Sequence, residues 1–137
     1  MKNLIIFLIF LFSNCFYSKE LNKIEIDAYV NTFSKRDFGE INEGYLGNKP
    51  YSYSINRNEN KEISGIIEYI GGENGKKNEL YYYSGKLIYI RNYKFNSKTK
   101  SEKLNCEIYP TLNLNSNQKK FNAEKLIKHG NFMFSNN

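Results

Sequence analysis

Between Glu79 and Phe95 the chain reads Glu-Leu-Tyr-Tyr-Tyr-Ser-Gly-Lys-Leu-Ile-Tyr-Ile-Arg-Asn-Tyr-Lys-Phe. Aromatic and β-branched residues at this density suit a pleated, half-buried surface. Two strand-like runs, Leu80 to Tyr83 and Leu87 to Phe95, flank Ser84-Gly85-Lys86, where a glycine supplies the positive φ of a tight turn. The stretch reads as a β-hairpin, and the remaining chain must supply its neighbouring strands and cover its faces. Tyr89, Arg91, Tyr93 and Phe95 alternate onto one face of the second arm. Whether that face turns to a helix or to a partner decides if it is a site, and a one-residue slip would reverse it.

The flanking segments extend the same pattern. Glu62 to Ile70 reads as a strand, with Ile63, Gly65, Ile67 and Tyr69 on one side and Ser64, Ile66, Glu68 and Ile70 on the other. Gly71 to Gly75 turns the chain, and Lys76 to Tyr83 returns as the first hairpin arm. This places Glu68 and Glu79 on neighbouring arms, able to face each other. Upstream, Tyr51 to Ile55 alternates as a short strand, and the rest of Ser34 to Asn60 reads as glycine-punctuated loop. Downstream, Asn96 to Lys103 is a basic loop, and Leu104 to Tyr109 is a last strand ended by Pro110.

Helices are expected at both ends. Over Lys19 to Lys35, Asn22 and Glu25 outline a capping box, while Ile26, Tyr29, Val30 and Phe33 recur as one apolar stripe. Asn117 to His129 carries Phe121, Leu126 and Ile127, with Gly130 where a C-cap belongs and Phe132, Met133 and Phe134 in the tail. The expected fold is α+β: one domain over 19–137, an antiparallel meander of four to five strands, and one or both terminal helices on one sheet face.

Residues 1–15 read as a signal peptide. Lys2 precedes an unbroken apolar run from Leu4 to Phe12. Nine residues at helical rise reach about 14 Å, under half of a bilayer core of roughly 30 Å. Leu11-Phe12-Ser13-Asn14-Cys15 resembles a bacterial lipobox, which would lipidate Cys15, although Phe12 and Asn14 stand where small residues are usual. Ordinary cleavage near Cys15 is the other reading. Both export the chain, to the periplasm or the outer surface, with membrane attachment only through a lipid on Cys15.

Without the leader, Cys106 is alone and no internal disulfide can form. The formal charge of +6 falls to +5 with the loss of Lys2. This modest excess suits a protein partner or an anionic envelope component. One histidine, His129, and two Asp leave no Ser-His-Asp triad, and a single Cys with a single His makes no zinc tetrad. No cofactor or metal is expected. His129, near a helix end, suits the C-terminal dipole. The interleaved Tyr and Arg have a single-strand-binding look, but export and the missing RNP-type pattern argue against nucleic acid.

Tyr81-Tyr82-Tyr83-Ser84-Gly85-Lys86-Leu87, after Asn74-Gly75-Lys76, resembles the Tyr-Tyr-x-x-Gly-Lys-Leu hairpins of small exported or lipid-anchored bacterial proteins of unknown function, and is similar to the variant MORN-type repeat. The resemblance covers about residues 62–95 and implies a meander and an envelope location. Ser64-Gly65-Ile66-Ile67-Glu68-Tyr69 and Ser84-Gly85-Lys86-Leu87-Ile88-Tyr89 resemble, with one residue too many, the Ser-Gly-x-x-Tyr loop of periplasmic lysozyme inhibitors. The sequence thus points to a non-enzymatic envelope protein that binds its partner through a Tyr-rich basic sheet face. The contact candidates are Tyr83, Lys86, Tyr89, Arg91 and Tyr93. The alternatives are a periplasmic inhibitor or immunity-type protein, and a small hydrolase using Cys106 with His129.

Overall fold

The computed structural model describes residues 19–34, 37–112 and 120–137. The leader with Cys15, the Asn117 cap and the Phe121 contact lie outside the described residues. The fold is α+β. Helix α1 (Lys23–Val30) precedes strands β1 (Glu40–Leu46), β2 (Lys49–Arg57), β3 (Ile63–Ile70), β4 (Gly75–Tyr83), β5 (Lys86–Asn96) and β6 (Ser101–Ile108), and helix α2 (Lys120–Ser135) follows. The strands form one open antiparallel sheet in sequence order, a six-stranded meander rather than one of four or five.

The added strand is β1, in the stretch expected to be loop. All seven of its residues are exposed, so no alternation of buried apolar residues marks it. Its pairing with β2 and a two-residue turn at Gly47–Asn48, with Gly47 at φ 60°, define it instead. At the central hairpin, Ser84 (φ 48°) and Gly85 (φ 73°) are both left-handed, the geometry of a type I′ turn. Ladder bulges adjust the register. The one between Asn56 and Arg57 leaves Ser64 unpaired and carries Ile63 to the face opposite Ile67, not the same face as expected.

Both helices pack on the sheet as expected, and of the two arrangements left open, one or both on a given face, the structure has one helix on each. The α2 face gathers Ile55, Ile66, Leu80, Tyr82, Ile90 and Ile108 under Ala123 and Met133. The α1 face gathers Ile67, Tyr81 and Tyr89 with Phe38 under Ile26 and Val30. Asn22 caps α1 as expected, its side chain accepting from the Glu25 amide while the Glu25 carboxylate accepts from the Asn22 amide. Since β4 and β5 are buried on both sides, each cover is needed, and burying one large apolar side chain is worth roughly 1.5–3 kcal/mol.

Gly130 does not end α2; the helix runs through it to Ser135, taking Phe132, Met133 and Phe134 with it. The glycine is there for closeness. A Cβ at that position would lie 2.6 Å from Leu87 Cδ2, and the Gly130 carbonyl accepts a 2.7 Å hydrogen bond from the buried Tyr82 hydroxyl. Met133 is buried, Phe134 stacks on Tyr82, and Phe132 faces solvent.

Gly75 is held more rigidly still, because a Cβ there would sit 2.6 Å from the Ile70 carbonyl oxygen and 3.1 Å from that of Phe95, both backbone. Gly75→Ala is expected to destabilise by about 1–3 kcal/mol in urea unfolding. Gly44→Ala, whose Cβ meets nothing within 4 Å, should leave the midpoint unchanged or slightly raised.

Candidate binding face

Strand register lays the α1 face out in rows. Glu43, Ser52, Tyr69, Lys77, Tyr93 and Leu104 stand opposite one another across all six strands. The neighbouring row is Ile41, Ser54, Ile67, Glu79, Arg91 and Glu107. Helix α1 covers the end of the face holding Ile67, Tyr81 and Tyr89. At the other end lie exposed Tyr45 on β1 and Leu104 on β6, with half-buried Tyr69, Tyr93 and Phe95 between them, while exposed Ile41 stands at the β1 edge of the Ile67 row.

Lys77 is the hub of this end. Its side chain is only 1% exposed, and its Nζ pairs with Glu79 at 2.8 Å and Glu102 at 2.9 Å. The ammonium also lies 4.8 Å from the Tyr93 ring centre and 5.8 Å from that of Tyr69. Burial alone would lower its pKa, but the hydrogen bonds to Glu79 and Glu102 hold it above the ordinary 10.5. Arg91 sits beside it, 3.7 Å from Glu79 and 3.5 Å from Glu107, its guanidinium over the Tyr89 ring and its Nε donating to the Tyr89 hydroxyl. The Tyr89 hydroxyl in turn bonds Glu107.

The five sequence candidates do not form one patch. Tyr83 and Lys86 face each other at the hairpin tip, Tyr83 with its ring against Tyr29 of α1. Tyr89 is buried at 1% exposure, a packing residue under α1. Only Arg91 and Tyr93 reach the uncovered end, seven residues or about 23 Å along β5 from Lys86 in the case of Tyr93. The face is not basic either: Lys77 and Arg91 stand among four carboxylates, Glu43, Glu79, Glu102 and Glu107. Sequence reading missed Tyr45, Tyr69 and Glu43, since the register that aligns them was not visible without β1.

Beyond Lys77 the face opens into a groove of about 550 Å³ lined by Glu43, Tyr45, Ser52, Tyr69, Gly71 and Phe95, among others. Small residues, Gly44, Ser52 and Gly71, line it together with the larger rings. Tyr69 and Phe95 meet edge to face, 5.1 Å between centres.

The α2 face holds a second polar group, where sequence placed only a helix-end histidine. Glu68 is fully buried and accepts from His129 Nε2 at 2.8 Å, from the Tyr51 hydroxyl at 3.0 Å and from the Asn78 amide. Asn78, Asn92 and Asn105 continue the chain of amides across the sheet. Glu68 and Glu79 are therefore on opposite faces, because Glu68 pairs with Asn78 and Glu79 with Ile67. Cys106 pairs with Asn92, three strands from Glu68, or roughly 14 Å at sheet spacing, so it is not brought to His129. Burial raises its thiol pKa. Among the described residues no cluster of three His, Cys, Asp or Glu could hold a metal ion, and no helix is long and apolar enough to cross a membrane.

No protein-family model, no curated protein and no solved structure matches the chain.

The Glu68–His129 pair sets a pH window. Hydrogen bonding to Glu68 raises the His129 pKa above 6.5, so its contribution to stability is complete below 6.5 and fades as pH rises through the raised value. For Glu68, burial pushes the pKa up, but His129, Asn78 and Tyr51 together hold it below 4.5. Its contribution is complete above 4.5 and fades as pH falls through the lowered value. The pair should stabilise most between 4.5 and 6.5. Urea midpoints from pH 4 to 8 should show this maximum in the wild type and a flatter profile in His129→Gln.

Proposed function

We propose that the protein is a non-catalytic, exported envelope protein that binds a partner through the uncovered end of its Tyr-rich α1 face. The observation that carries this is the groove beside Lys77, walled by Tyr45, Tyr69 and Phe95 on a sheet face that α1 leaves bare. Tyr45, 76% exposed, stands on the edge strand β1 beside the half-buried rings of Tyr69 and Phe95 that line the same groove, and on the opposite edge Leu104, 47% exposed, flanks Tyr93. Such a surface, rimmed by charges, is the usual anatomy of an interaction site. The apolar leader supports the envelope location. The contact set shifts from the hairpin tip to Tyr45, Tyr69, Tyr93 and Phe95, with Arg91 at its inner margin.

Capture from envelope extract on the immobilised protein tests this reading. The wild type should retain specific partners that Tyr45→Ala loses, with unchanged thermal unfolding because Tyr45 is exposed. Recovery of the same partners by the variant would move the site elsewhere.

A further inference from the structure

Resting on that reading, we infer that the groove binds a quaternary ammonium group. The chain carries a formal charge of +6, yet among the described residues no cationic side chain lines this groove and its one charged lining residue is Glu43. Among the described residues in the rows around Lys77, four carboxylates, Glu43, Glu79, Glu102 and Glu107, stand with two cations, Lys77 and Arg91, and both cations are already committed to carboxylate partners. The local field therefore favours a positive ligand on a protein that elsewhere repels one.

The face also contains an internal instance of the same recognition. The Lys77 ammonium is held between the rings of Tyr69 and Tyr93 with Glu79 and Glu102 as counter-ions. Across Tyr69, the groove repeats the set with Tyr45, Tyr69 and Phe95 as rings and Glu43 as counter-ion. A primary ammonium needs three hydrogen-bond acceptors to replace its water, and besides Glu43 and Ser52 the groove's side chains offer only the phenol oxygens of Tyr45, Tyr51 and Tyr69, of which Tyr51 is already bonded to Glu68. A trimethylammonium head needs none, and aromatic walls with one carboxylate suit it. A volume of about 550 Å³ admits such a head with its attached chain.

The test is an aromatic-proton NMR titration of the full mature chain with choline, phosphocholine, N-acetylglucosamine and 3,3-dimethylbutan-1-ol, the uncharged isostere of choline. Choline should perturb the Tyr45, Tyr69 and Phe95 rings saturably, at least tenfold more tightly than the neutral isostere or the sugar. Tyr45→Ala should weaken choline at least fivefold and Glu43→Gln about threefold, with both variants folded. Phosphocholine binding as well as choline marks a lipid headgroup as the source, and choline alone marks a free small molecule. Equal binding of the neutral isostere, tighter binding of the sugar, or choline shifts unaltered by Tyr45→Ala would overturn the inference. If choline fails while envelope capture still depends on Tyr45, the ligand class is wrong and the binding face stands; if both fail, the face itself is not the site.

Discussion

The structure depends on how β4 is satisfied on its two sides at once. Leu80 and Tyr82 need an apolar cover and receive α2, while Lys77 and Glu79 on the other side need counter-charges and hydrogen bonds. A buried ammonium without a partner costs several kcal/mol. Glu79 on the same strand and Glu102 on β6 supply the pairing, which ties the outer strand to the centre of the sheet. Tyr69 and Tyr93 close over the same ammonium, so the rings beside the groove are positioned by a charge beneath the surface.

This arrangement explains why one end of the α1 face can stay uncovered. Helix α1 has eight residues and reaches only the end with Ile67, Tyr81 and Tyr89. Beyond it, ion pairs replace a helix as the means of ordering the side chains. A surface ordered in this way has little side-chain freedom left to lose, the condition under which the proposed binding would be favoured. The α2 face solves the matching problem with Glu68 and His129, joining helix to sheet through a buried carboxylate.

Much of the fold was legible from residues. The Tyr-rich hairpin followed from alternation and a Ser-Gly turn, and α1 from Asn22, Glu25 and its stripe. What was not legible turned on register and on close approach. The Glu68 and Glu79 assignment failed because Ile70 pairs with Lys76, a parity that sets Glu68 against Asn78; one residue more or less in the turn would have reversed it. Ile63 changed face at a bulge, β1 buries nothing, and Gly130 resembles a C-cap when its reason is contact with Leu87. The groove was hidden for the same cause, since its walls come from β1, β3 and β5 and meet only through pairing.

The central claim is that Lys77 and Glu79 act as one buried unit that organises the end of the α1 face beyond the helix. A double-mutant cycle in urea unfolding with Lys77→Met and Glu79→Gln measures it directly. Each single change should cost about 1–3 kcal/mol, because Lys77 is left with Glu102 alone or Glu79 with the more distant Arg91, and the double variant should cost at least about 1 kcal/mol less than their sum. Strictly additive costs would show that the two side chains do not depend on each other, and would contradict the account.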